Sequence, residues 1–538
     1  MFTIEKAESE SEDLDGAVLN PLTFTNGQST SATGTQTTDF SRSESGMLSY
    51  VGRLNYSYND RYLAEFLVRT DASTKFSPTN YWGVFPSLSL GWVASEESWF
   101  KNNIQWMDFF KLRGSFGLLG KDNIAAWGWL QTYSMVANKG AVFGTSTSTN
   151  MGAAMQSSAA PNVNAHWDKS YKSNLGIDAH LLKDRLSINL DAYYDMNRDI
   201  FMQRTGSTDY PTTVGTKPTA ENFGSIDTYG VELSAGWKDK ITKDFTYYIK
   251  LSTGYSDNKV LKMYWPSVIT IDGQHPNQRT DLGTWGLDCI GMFRSYQQIS
   301  EYVAKYHITN YLGMSPDKIR PGMLIYRDVR GAQNSDGSYQ AADGVISATT
   351  DIVRISKRSS NPYGFTTNLG GEWKGFSFSA QINASWGGYT LISKSARTGL
   401  NSVSSSNTYN DLQYTNLPSF WTNNMYVYSD VTDAAGNVVA AQNLTAKYPN
   451  LQYNVNSYNS TFWAVSSTRV TVRTITLAYS LPKTFVKKLN VESCRFNLTG
   501  QNMFSLYNPY PDNFMDASSS YGSYPTLRTI TVGVNVSF

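Results

Sequence analysis

Cysteine is nearly absent: 538 residues hold two, Cys289 and Cys494. That excludes a disulfide framework. Four histidines, His166, His180, His275 and His307, lie far apart, with none in HExxH or an i, i+4 pair. No GxSxG and no phosphate-loop lysine motif occurs, so catalysis is not expected. Charged residues make up 17% and the net charge is +1, which gives no basis for nucleic-acid binding. No run of about 18 apolar residues occurs, so no membrane-spanning helix is expected. That absence has no bearing on strands, which cross a bilayer in about 9–11 residues with every second one facing lipid. The opening "MFTIEKAESESEDLDG" has no basic n-region and no apolar h-region. It does not read as a secretory leader; either a leader has been removed or the numbering begins partway through a longer protein.

What is present is aromatic and polar. Aromatics reach 14%, with 35 Tyr, 25 Phe and 14 Trp. The mix is poor in helix formers and suits strands joined by polar loops. In "RLSINLDAYYD", Leu186, Ile188, Leu190, Ala192 and Tyr194 oppose Ser187, Asn189, Asp191 and Tyr193. In "GFSFSAQINASW", Phe376, Phe378, Ala380, Ile382, Ala384 and Trp386 oppose Ser377, Ser379, Gln381, Asn383 and Ser385. Period two is the strand signature. Thirteen such segments occur: 47–58, 61–70, 84–93, 109–118, 171–181, 185–195, 228–238, 245–255, 363–373, 375–387, 468–480, 494–504 and 528–538. In 468–480 the apolar phase shifts after Val472, which predicts a bulge near Arg473. A further strand is expected around 127–134.

Short and long connections alternate strictly. Short ones include "NDR" and "KD", whereas 119–170, 256–362 and 388–467 are long. This asymmetry is the rule for outer-membrane barrels, with the long side extracellular. The expected fold is therefore all-β: a transmembrane antiparallel up-and-down β-barrel. Residues 1–46 are expected to be an extracellular loop and 47–538 the C-terminal part of the barrel. Thirteen strands ending in the periplasm would place residue 1 outside the cell. An odd number of strands would then lie outside the chain, about nine if the whole has about 22.

Several blocks carry a family resemblance. "GRLNYSYNDRYLAEFLVRTDASTKFSPTNYWGVFPSLSLGW" at 52–92 is the most specific. "LRGSFGLLGKDNI", "NFGSIDTYGVEL", "LTGQNMFSL" and "YPTLRTITVGVNVSF" follow in order. In these blocks the chain resembles the C-terminal half of SusC/RagA-family TonB-dependent transporters. The resemblance implies a Bacteroidota-type outer membrane and import of an oligosaccharide or peptide. It implies partnership with a SusD-like surface lipoprotein and coupling to TonB. The family's N-terminal extension, TonB box and plug are not in this sequence, so TonB and plug contacts would run through a missing part.

Candidate residues follow. Lys172, Asn174, Asp178, Glu232, Gln381, Asn383, Arg495 and Gln501 sit on the polar rows and are expected to line the lumen and meet plug or water. Tyr56, Tyr58, Tyr62, Trp92, Trp237, Tyr255, Trp373 and Trp386 fall near strand ends, where polar-edged rings form girdles at the lipid headgroups. The long loops carry Trp285, Tyr296, Trp421, Tyr426, Trp463, Tyr507 and Tyr510, expected to contact substrate or the lid partner. "SYQQISEYVAKYH" at 295–307 places Ile299, Val303 and Tyr306 on one helix face, against the partner or the barrel rim. No cofactor is expected. Asp328, Asp336 and Asp343 are a weak calcium candidate, because they lack EF-hand spacing; a solvated turn is the preferred reading. Two other readings remain open at this point: a passive outer-membrane channel or adhesin, and a secreted all-β binding protein.

The last segment, "RTITVGVNVSF", alternates to its final residue. In outer-membrane proteins a final strand ending in Phe resembles the signal read by the barrel-assembly machinery. Deleting Phe538 is expected to lower surface levels, measured by labelling intact cells; unchanged levels would remove the assembly role.

Overall fold

The computed structural model describes residues 2–16, 36–131, 133–136, 154–157, 160–203, 220–266, 268–398, 418–450, 452–516, 519, 524 and 526–538. Fourteen strands form one sheet in which each strand pairs antiparallel with the next. They are β1 (Phe2–Gly16), β2 (Gln36–Tyr58), β3 (Tyr62–Ser73), β4 (Trp82–Val93), β5 (Met107–Lys121), β6 (Asp168–Leu181) and β7 (Leu186–Gln203). Then come β8 (Ala220–Thr242), β9 (Phe245–Lys262), β10 (Tyr363–Trp373), β11 (Phe376–Trp386), β12 (Arg469–Ser480), β13 (Ser493–Tyr507) and β14 (Thr529–Ser537).

All thirteen expected segments are strands. The bulge is where the phase shift put it: Val472 and Thr474 have partners on both sides while the ladders skip Arg473. Two expectations need correction. Residues 1–46 are not simply a loop, because β1 runs against β2 from Phe2↔Tyr50 to Gly16↔Gln36. The signal was missed because "EKAESESEDLDG" has no apolar alternation. Among the described residues the sheet therefore has fourteen strands, one more than expected. Nor do residues 127–134 supply a strand of the large sheet. Tyr133–Val136 instead pairs with Ala154–Ser157 in a hairpin of its own.

Local chemistry sets the turns. Lys374 and Gly375 both take positive φ, 46° and 90°, the two-residue form that matches strand twist. A side chain at Gly375 would press on the Ser480 carbonyl at 2.8 Å.

The two faces of the sheet differ as the alternation requires. Leu54 is 68% exposed and Val532 75% exposed. A soluble sheet would cover such residues; here no described residue lies over the apolar face, the condition of a face turned to lipid. Aromatic rings bound it at two levels. Toward the long loops, Tyr194 stacks on Tyr229 and Tyr255 on Tyr363, with Trp386 next along. Toward the short turns lie Trp237, Trp373 and Phe376, the last packed on Tyr479 at 4.4 Å. Eight residues separate Tyr229 from Trp237 and ten separate Tyr363 from Trp373. At about 3.3 Å per residue and a tilt of about 40°, the rings stand roughly 20–26 Å apart along the membrane normal, matching an apolar band of about 25 Å.

Leu175, 65% exposed on the lipid face, tests this directly. Leu175→Arg is expected to cost about 2–4 kcal/mol near the bilayer midplane, whereas Gln381→Arg on the opposite face costs far less. Denaturant titration of the barrel folding into vesicles measures both.

Candidate functional site: the lumen wall and the extracellular crown

All eight predicted lumen residues lie on the polar face. Rather than waiting for a plug or water, several of them bond sideways to neighbouring strands. Arg113 on β5, which sequence reading did not single out, is the centre. Its Nη2 donates to Asp191 Oδ2 at 2.5 Å, its Nε reaches Asp178 at 3.2 Å, and its Nη1 donates to Asn174 at 3.4 Å. Asn189 Nδ2 also donates to Asp178 at 2.9 Å. Lys172 pairs with Asp195 at 2.6 Å, and Arg495 donates to Ser377 at 2.8 Å. The signal for Arg113 was available: it sits on the polar row of "KLRGSFG", with carboxylates on the polar rows of the next two strands.

Two concavities open along this wall. One, about 780 Å³, is lined by Glu232, Asn383, Arg469, Arg473 and Asp516. The bulge turns Arg473 toward this space. The other, about 1060 Å³ and nearer the short turns, is lined by His180, Asn189, Lys238, Lys250 and Glu372. His180 bonds Asp184 at 3.0 Å. Both spaces are wide and bordered by charges of both signs.

Beyond the lipid band, residues between β9 and β10 and between β11 and β12 fold into a crown with its own apolar core. Leu287, Phe293, Ile299, Tyr311, Leu324, Tyr326, Trp421, Tyr426 and Trp463 are buried there. Three predicted contact residues are thereby corrected: Trp421, Tyr426 and Trp463 are 0–1% exposed and present no surface to a ligand or lid. Each settles its polar edge internally, as buried Trp and Tyr must. Trp421 Nε1 donates to Pro449 O, Tyr426 Oη to Arg294 O and Trp463 Nε1 to Asn456 O, each at 2.7 Å. Asn456 is itself buried; its side chain accepts from Leu324 N and donates to Gly322 O and Asn450 O. Arg397 is buried against Trp463 and donates to Ser457 O and Asn459 Oδ1. Burial pushes its guanidinium down to about 10.

The other predicted crown residues are open to different degrees. Tyr296 is half exposed and meets Tyr428 edge-on at 5.5 Å. Tyr507 is exposed, Trp285 is half-buried under Arg354, and Tyr510 packs against Phe514 at the core's margin. Helix α1 (Ser98–Asn103) lies on a short-turn connection, and α2 (Tyr296–Tyr306) lies in the crown. The α2 face that packs is Ile299 and Tyr302, with Tyr306 left exposed. Val303 packs beside them against the crown's own core, so of the expected face Ile299 and Val303 pack and Tyr306 does not, with Tyr302 in its place.

The acidic candidates serve separate turns. Asp328 Oδ2 accepts from Gly344 N, Asp336 from Ser338 N and Asp343 from Val345 N. They do not converge, and no cluster of three metal-ligating side chains occurs among the described residues. The carboxylate that organises this loop is Asp351, fully buried and accepting from Val329 N, Arg330 N and Ser347 N.

The block at 52–92 shows why its residues belong together. Phe76 is buried under Trp167 at 5.1 Å. Ser77 and Asn80 donate to Val163 O, and Trp167 Nε1 to Tyr81 O.

A lipid-facing sheet with two aromatic levels, short turns at one end and long folded loops at the other defines an outer-membrane β-barrel. No protein-family model matches the chain. It is 25% identical over 518 residues to a TonB-dependent receptor of Formosa agariphila, covering 92% of this chain and 46% of that protein. It is 35% identical over 224 residues to the TonB-dependent receptor SusC of Bacteroides thetaiotaomicron, covering 40% of this chain and 21% of that protein. Among solved structures, the RagAB peptide importer in its closed-closed state superposes with TM-score 0.70 at 18% identity, over 99% of this chain and 53% of that one. The chain spans about half the length of the curated relatives it matches. Motifs, relatives and fold point the same way: the chain is similar to SusC/RagA-type TonB-dependent receptors and has the strand architecture of their barrels.

Trp463→Ala is expected to remove about 3–5 kcal/mol from the crown. Limited proteolysis should then cut between β9 and β10 or between β11 and β12 while the strands of the large sheet stay protected. A crown as resistant as the unsubstituted one would show that Trp463 does not hold its core.

Proposed function

We propose that this chain supplies the lumen wall and extracellular crown of a TonB-dependent importer of a nutrient oligomer, an oligosaccharide or a peptide. Work would come from TonB acting through a plug, not from chemistry in this chain. The observation that carries the reading is the polar wall. Its charges are satisfied by one another around Arg113, so a plug or a hydrated substrate can pass without leaving bare ions behind. The eight lumen residues and Arg113 form the side a plug would slide along. Further strands would join the edges at β1 and β14, since lipid cannot satisfy open strand edges.

A SusD-like lipoprotein is the proposed lid. Tyr296 and Tyr428 are its proposed contact, because they are exposed and meet edge-on, and the crown also leaves Val431, Val438 and Val439 uncovered. Tyr and Trp at such positions are the usual anchors of an interface.

Two measurements test this. Uptake of a labelled oligosaccharide or peptide by intact cells is expected to stop when TonB is removed; uptake that persists would make the protein a passive channel. Tyr296→Ala with Tyr428→Ala is expected to cost about 2 kcal/mol or more of lid binding, read as lost co-purification of the lipoprotein with the intact transporter. Undiminished co-purification would move the lid contact elsewhere on the crown.

A further inference from the structure

Just beyond the outer aromatic level, on the lipid side, the sheet carries charges that the transport reading does not use. On β9 the outward row continues from Tyr255 to Asp257 and Lys259. Two residues on a strand advance about 6.6 Å, so these groups stand at and just above headgroup depth. Crown segments at 277–282 and 354–357 close around them and leave a cleft of about 380 Å³, with Tyr229 as one wall. Tyr229 belongs to the outer ring level, stacked on Tyr194 at 6.1 Å, which fixes the depth of the cleft.

The charge balance in this cleft is positive. Lys259, Arg279, Arg354 and Lys357 line it, against Asp257 and Asp281. Both carboxylates are already engaged. Asp257 is buried and pairs with Arg358 at 2.8 Å and Arg279 at 3.4 Å. Asp281 accepts from the backbone and hydroxyl groups of Ser359 and Ser360 and from Gly283 N. Burial opposes its ionisation, but these bonds outweigh burial and hold its carboxyl far below the usual range. The cations have less to hold them. Arg354 lies over the Trp285 ring at 4.8 Å. The ammonium groups of Lys259 and Lys357 have no ion-pair partner among the described residues. Asn258, bonded to Thr280 on both its amide atoms, ties the 277–282 segment to β9 so that the cleft keeps its shape.

We propose that this cleft binds the phosphate of an outer-leaflet lipid, with Lys259, Lys357 and Arg354 on the phosphate and Tyr229 beside the first carbons below it. Position favours a lipid over a transported solute: the cleft opens on the outward row, above the lipid band, whereas the transport concavities open on the opposite face. The proposal rests on the outer-membrane placement and is independent of what is imported.

The test uses the intact transporter purified in detergent and native mass spectrometry. Three probes are compared: a phosphorylated lipid A, the same glycolipid without phosphate, and inorganic phosphate. The phosphorylated glycolipid is expected to remain bound at energies that strip the dephosphorylated one. Lys259→Gln with Lys357→Gln should weaken its retention about tenfold, the loss of one or two charge-assisted contacts. Arg354→Gln, a milder change, should weaken it in the same direction and guards against a misfolded double variant. Equal retention of the two glycolipids by the unsubstituted protein would overturn the proposal. So would unchanged retention in both variants, or displacement of the glycolipid by millimolar inorganic phosphate, which would make the cleft a site for free anions.

Discussion

Hydrocarbon offers a polypeptide nothing to hydrogen-bond with. Every backbone amide and carbonyl that crosses it must therefore find a partner within the protein, and here each inner strand finds it on both neighbours. Once the backbone is settled that way, side chains can only alternate, one toward lipid and one inward. The exposed Leu54, Leu175 and Val532 on one face and the Arg113–Asp178–Asp191 group on the other are two consequences of the same ladder. The aromatic levels follow as well, because a ring with a polar edge is most stable where hydrocarbon gives way to water.

The crown obeys a different rule. Its connections are too long to be simple turns, and they escape the cost of disordered loops by burying a core of their own. Asn456 shows how: one side chain satisfies three backbone groups, on Gly322, Leu324 and Asn450, inside that core. Trp421 and Trp463 pack on each other at 4.8 Å.

Strands were legible in the sequence wherever lipid imposed alternation, down to the phase slip at Arg473. β1 was not, because beyond Ile4 its pairing with β2 needs no apolar partner rows and leaves no pattern. The faces of Lys172, Asn174, Asp178 and the other lumen residues could be read from parity alone. Their partners could not, since Arg113 meets Asp191 across two strand boundaries whose register the sequence does not state. The crown was the least legible part. An aromatic in a long loop looks the same whether it faces a ligand or fills a core, and Trp421, Tyr426 and Trp463 fill a core. Tyr296 and Tyr507, with the same side-chain chemistry, stay outside.

The barrel depends on which side chains dissolve in lipid. Spin labels placed singly at positions 186 to 194 along β7 of the intact protein in vesicles, read by collision with dissolved oxygen, measure that position by position. Accessibility should rise and fall with period two, high at Leu186, Ile188, Leu190, Ala192 and Tyr194 and low at the residues between. A flat profile, or one with its maxima at Ser187, Asn189 and Asp191, would contradict the barrel as described.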